Sequence, residues 1–161
     1  MKYRRLNQEE LNELQTEFIQ FLVSNTVTAD DWVKIKAEDP EKAEKLIEMF
    51  SDIVFQQILE KAEYLEYKEQ QDLKTFHCQK DKIVMMGMFI EGNTDVDFRV
   101  NMAPDEMMLK IKQSNAEVKI YTAEKGYKGG REAELFRMMQ GGCLISKDGH
   151  LYKTLTSLKG N

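Results

Sequence analysis

Two cysteines, two prolines and two histidines are all that 161 residues contain of those types. So few thiols need no disulfide framework, and reduced Cys78 and Cys143 are the simpler reading, with a single bridge between them left open. The four soft ligands His77, Cys78, Cys143 and His150 have no metal-ligand spacing. His77 and Cys78 are neighbours on an expected strand and point to opposite faces. On an expected hairpin, Cys143 and His150 stand roughly 13 Å apart, too far for one zinc. No metal and no cofactor is expected. No Gly-x-Ser-x-Gly occurs. A Cys78–His150 dyad would need folding to assemble it, and free cysteine is more often core.

Long apolar runs are also missing. The longest, Ile83 to Ile90, is far short of the roughly 20 residues that span a bilayer. After the basic start Met1-Lys2-Tyr3-Arg4-Arg5-Leu6 the chain turns polar, without the run of about 7–15 apolar residues of a secretory leader. A cytoplasmic protein with no membrane contact is the expectation.

What the chain does have is 42% hydrophobic and 32% charged residues, enough apolar material for one core over residues 1–161. The net charge of −5 is uneven: residues 1–70 carry 9 Lys/Arg against 16 Asp/Glu, and residues 71–161 carry 14 against 12. An acidic first half argues against general duplex DNA binding, which phosphate neutralisation drives. It leaves room for a local basic site in the second half.

The hydrophobic rhythm changes near position 71. Before it, apolar residues recur at helical spacing. Asn7 with Glu10 makes a capping box for a helix over about 8–24, and Thr28 with Asp31 for one over 29–38. Asp39-Pro40 starts a third over 40–67, with an apolar arc wide enough to be covered from two sides. After it, residues 73–79, 82–91, 96–102, 117–123, 143–147 and 150–155 read as strands, the last two joined by Asp148-Gly149 in a type I′ turn. Short helices are expected over 104–113 and 131–140. The fold class is therefore α+β, an N-terminal helical layer packed on a mostly antiparallel sheet.

Two stretches carry candidate chemistry. Asp95 and Asp97, two apart on an expected strand, would share a face and could hold Mg²⁺ for phosphoryl or nucleotidyl transfer, with Glu117 as a third ligand. This resembles the Asp-x-Asp strand of nucleotidyltransferases, but the Gly-Ser pair of that family is absent. The bland reading is the polar face of a half-exposed strand beside a turn. The second stretch, Lys125-Gly126-Tyr127-Lys128-Gly129-Gly130-Arg131, lies between a strand and a helix. Helix-start N–H groups, three cations and a stacking tyrosine suit a phosphorylated ligand or RNA. It departs from the P-loop, because no Gly-Lys-Ser/Thr follows; its bland reading is a solvated loop. Met85, Met86, Met88, Met102, Met107, Met108, Met138 and Met139 either line an adaptable groove or fill the core.

The stretches Met1 to Leu6, Thr28-Ala29-Asp30-Asp31-Trp32 and Phe50-Ser51-Asp52-Ile53-Val54 resemble an uncharacterised family of bacterial proteins of about this length. That resemblance implies a free-standing domain with no assigned catalytic residues. The expectation is a non-enzymatic binding or interaction module, with a protein partner or a second copy as its associate and loop 125–131 as its contact surface. A Mg²⁺-dependent transferase and a structural subunit of a larger assembly are the alternatives.

Overall fold

In a computed structural model, residues 1–92 and 94–160 are described. Among them lie seven helices and one five-stranded antiparallel sheet, an α+β fold. The chain divides into two compact units, Met1–Glu60 and Lys61–Asn161.

The first unit is helical: α1 (Gln8–Glu13), α2 (Gln15–Ser24), α3 (Ala29–Glu38) and α4 (Pro40–Lys61), whose last residue lies in the second unit. Both capping boxes form, Asn7 with Glu10 and Thr28 with Asp31. The helix expected over 8–24 is instead broken at Leu14, whose φ of −102° and ψ of 24° leave the helical well. Phe18 sits at the centre of the unit, 5.2 Å from the Trp32 ring edge-on and 5.0 Å from Phe50. The N-terminal segment is fastened to α4. Asp52 accepts the backbone N–H groups of Lys2 and Tyr3 at 2.7 and 2.8 Å, and Ser51 accepts that of Leu6 at 2.9 Å.

The second unit holds β1 (Tyr64–Lys68), β2 (Asp72–Cys78), β3 (Lys82–Glu91), α5 (Pro104–Gln113), β4 (Glu117–Gly126), α6 (Arg131–Gln140), β5 (Leu144–Ser146) and α7 (His150–Lys159). Strand order is β4-β3-β2-β1-β5. Strand alternation sends Leu73, Met86 and Met88 to one face, where they join Ile90, Val96, Phe98, Met107, Ile111, Leu151 and Leu155 in a buried cluster under α5 and α7. At roughly 25 cal/mol per Å² of apolar surface, burial of this cluster stabilises the unit.

Several expected elements differ. The helix of 40–67 stops at Lys61, and residues 64–68 form β1 beside β2. Residues 96–102 are not a strand. Val96 and Phe98 are buried as alternation suggested, but Asp97 binds the Arg99 N–H at 2.9 Å and its own carbonyl accepts from Val100, which curls the backbone. Residues 150–155 are helix α7, not the second arm of a hairpin. Asp148 accepts the His150 N–H at 3.0 Å, and Leu151, Leu155 and Leu158 turn one stripe to the core. Gly149 supplies the left-handed turn that starts it, at φ 64°, and a Cβ there would stand 2.6 Å from the Tyr64 ring.

Candidate functional site

On the sheet face opposite the α5/α7 core, cross-strand register sets three rows: Lys74–Gly87–Tyr121, Phe76–Met85–Ala123 and Cys78–Ile83–Lys125. The middle row ends in the small Ala123, and the rows enclose a hollow of about 290 Å³ lined by Lys74, Phe76, Ile83, Met85, Ala123 and Lys125, with Glu124 at its rim. Its floor is apolar. The two lysine rows lie four residues apart along β3, roughly 13 Å.

Each end of this groove is held by a polar network. At one end Tyr121 crosses over Gly87 and its hydroxyl donates to Asp72, which also pairs with Lys74. Burial, and then the bond to Asp72, push the Tyr121 phenol up to about 12. The Asp72 hydrogen bond likewise raises Lys74. At the other end Lys125 Nζ donates to Glu134 at 2.7 Å, and Arg137 binds the second oxygen of that carboxylate. These two cations, Lys125 first, hold the buried Glu134 below the usual carboxylate range.

Of loop 125–131, Lys125 lines the groove, and the remaining residues follow it from the end of β4 into α6. Gly129 and Gly130 have φ of 75° and 100°, values that favour glycine, and Gly130 precedes α6 without a side-chain cap. Tyr127 is half-buried, its hydroxyl donating to the carbonyls of Gln79 and Lys82. Arg131 turns inward and donates to the carbonyls of Ala62 and Cys78. Lys128 stays exposed; its carbonyl accepts from Arg137, and its ammonium has no ion pair among the described residues. Lys125 is half-exposed, and one ammonium carries three donors, of which Glu134 takes one.

The other expected residues are dispersed. Asp95 is exposed in the loop after β3, and Asp97 forms a two-toothed pair with Arg99 at 2.9 and 2.8 Å that pulls its carboxyl down to about 2. Glu117 opens β4, opposite Glu91. With no strand at 96–102, the shared face assumed for the two aspartates is not formed. No three His, Cys, Asp or Glu side chains among the described residues group around a metal-sized site. His77 and Cys78 do take opposite faces: His77 stacks on Tyr64 at 4.8 Å, while Cys78 is buried on the groove side. His150 begins α7 over the other face, so the Cys78–His150 pair is not assembled. Of the methionines, Met86, Met88 and Met107 fill the core, and Met85 lines the groove.

A match to the Family of unknown function (DUF6495) runs over residues 1–160. The chain belongs to that family. No curated protein and no solved structure matches it. In this DUF6495 chain residues 2, 3 and 6 bind Asp52 and Ser51, and Trp32 packs edge-on against Phe18, which also contacts Phe50. Lys74, Phe76, Met85, Ala123 and Tyr121 had no signal as a group in the sequence, because only the register of β2, β3 and β4 brings them together. No helix is long and apolar enough to cross a membrane among the described residues.

Proposed function

We propose that this DUF6495 chain is a non-enzymatic binding protein of the cytoplasm, and that its contact surface is the groove of β2, β3 and β4 together with loop 125–131. The ligand is a small anion with an apolar body, a carboxylate or phosphate monoester on a short alkyl or aryl chain. One observation carries the reading: an apolar floor stands between Lys74 and Lys125, and the second of these lysines also belongs to the loop. The apolar body would displace water from Phe76, Met85 and Ala123. The anion would take the remaining donors of Lys125, and the exposed Lys128, three residues on, would add longer-range attraction. A hollow of about 290 Å³ sits at the small end of ligand sites, which limits the guest to a head group on a chain of about eight carbons or fewer. Two free thiols suit a reducing compartment.

Octyl phosphate titrated into the ¹⁵N-labelled protein tests this. Amide shifts should cluster at residues 74, 76, 85, 123, 125 and 128. Ala123→Leu should fill the hollow and abolish them, and Lys128→Ala should weaken binding about 3- to 10-fold, with a shallower salt dependence. Absent shifts, or shifts indifferent to Ala123→Leu, would remove the groove. Shifts confined to residues 127–131 with a short RNA, and none with octyl phosphate, would replace this ligand class with nucleic acid.

A further inference from the structure

The two edges of the sheet differ sharply. At one end β5 contributes three residues, too short to template another strand. At the other end β4 runs ten residues, Glu117–Gly126, in unbroken register with β3, without a proline or a bulge. Its outward backbone groups can be assigned. The Ile90 N–H bonds Gln71 and the Lys82 carbonyl accepts from Gln79, so the even residues of β3 face β2 and the odd ones face β4. The odd residues of β4 therefore bond β3, and Val118, Ile120, Thr122 and Glu124 present their N–H and C=O groups away from the sheet. Among the described residues no backbone hydrogen bond reaches these groups from another segment.

We infer that this edge pairs with the same edge of a second copy, antiparallel about a two-fold axis at Tyr121, to give one continuous sheet across a homodimer. Charge selects both the occupant and the register. Matching faces requires paired residue numbers to sum to an even value, since a one-residue slip turns every side chain over. With Tyr121 on the axis, Glu117 lies opposite the partner's Lys125 at both ends, Ile120 opposite the partner's Thr122 and Lys119 opposite the partner's Ala123. About eight new backbone hydrogen bonds form between the four outward residues of each copy. Moving the axis to Thr122 would set Lys119 against the partner's Lys125. Moving it to Ile120 would lose the Glu–Lys pairs. The edge is thus complementary to itself in one register, and each copy would bring its Glu117 beside the other's Lys125 at the groove rim. This inference does not rest on the ligand reading, because mass is measured without ligand.

Sedimentation equilibrium of the full chain from about 1 to 100 μM, with expected affinities in the range of small interfaces, should give twice the 18.8 kDa chain mass. Thr122→Pro deletes an outward N–H and leaves the β3 ladder intact, a position where an edge strand accepts proline. It should give a monomer with an unchanged circular dichroism spectrum. Glu117→Lys, an exposed charge reversal independent of any backbone change, should weaken the dimer about tenfold, most at low salt. A monomer across the whole range overturns the inference, and so does a dimer unaffected by Glu117→Lys. If Thr122→Pro loses its folded spectrum, Glu117→Lys alone decides.

Discussion

Tyr121 occupies the space that a side chain at Gly87 would need: a Cβ there would lie 2.2 Å from the tyrosine Cζ. The two are directly paired across β3 and β4, so the ring covers the bare backbone of its neighbour and carries its hydroxyl on to Asp72. Gly87→Ala should push the ring aside and break that bond, for about 1–3 kcal/mol of lost stability. Tyr121→Ala removes the obstacle, so Gly87→Ala in that background should cost less than alone. A double-mutant cycle by urea unfolding reads the coupling; strictly additive costs would show that the contact carries no energy.

Ser51 is fully buried on α4, where its Oγ accepts the Leu6 N–H at 2.9 Å and donates to the Ile47 carbonyl at 2.7 Å. Ser51→Ala leaves the Leu6 N–H buried without a partner, at a cost of about 1–3 kcal/mol. Ser51→Cys keeps the shape but has a weaker acceptor, and should fall between the two. Thermal melts in parallel would rank the three; equal melting temperatures would mean that water reaches Leu6.

The sequence made the local devices legible and the long-range ones not. Both capping boxes, the proline start of α4 and the apolar strand 82–91 can be read from adjacent residues, and each forms. Residues 150–155 misled because Asp-Gly followed by alternating residues fits a hairpin as well as a helix start. The stripe Leu151, Leu155, Leu158 distinguishes them only when the window reaches residue 158. Val96 and Phe98 alternate and are buried, yet the bonds of Asp97 bend the backbone away from a sheet. The cations of loop 125–131 were visible as charges. Their partners were not: Glu134 lies nine residues from Lys125, and the carbonyls that bind Arg131 lie at Ala62 and Cys78.

Those carbonyls give Arg131 a role in stability. Its guanidinium reaches the end of β2 and the chain entering β1 at once, both through Nη2, which a rigid planar group holds in place and a flexible lysine stem does not. Arg131→Ala should cost about 1.5–3 kcal/mol, and Arg131→Lys should recover less than half of it. Lys128→Ala, whose ammonium has no ion pair among the described residues, should change stability by no more than about 0.5 kcal/mol. Guanidinium unfolding of the three variants checks the order; full recovery by lysine would reduce the contact to simple charge.

Acid should loosen the contact of Arg4 in the N-terminal segment with α1 through Glu10. Its hydrogen bonds from Arg4, at 2.9 and 2.8 Å, and the Asn7 N–H hold the carboxyl down to about 2 against an ordinary value near 4.5. A depressed carboxyl stabilises the folded state above its unfolded pKa, and that contribution disappears as pH falls through the folded value. The window is therefore about pH 4.5 down to 2. Glu10→Gln should lower stability at pH 7 and flatten its pH dependence within this window, both modestly, because the pair is partly open to solvent. Parallel pH-dependent melts of wild type and variant would reject the assignment if the two curves kept a constant separation.

Cys78 reports on how tightly the groove side of the sheet is closed. The thiol is buried on the groove face of β2 beside Ile83, and burial pushes its pKa up to about 11, with Arg131 pulling the other way. At pH 8 that leaves on the order of one thiolate in a thousand, on a sulfur that a reagent cannot reach. Cys143 is buried too, and its pKa is raised by the same cause. Alkylation of the native protein should therefore wait for local opening and be slower than in urea by several orders of magnitude. Arg131→Ala removes the bond that fastens the Cys78 carbonyl, so it should speed labelling of Cys78 more than that of Cys143. Mass spectrometry after timed iodoacetamide pulses separates the two sites. Equal acceleration at both would show a global loss of stability and not a loosened strand end.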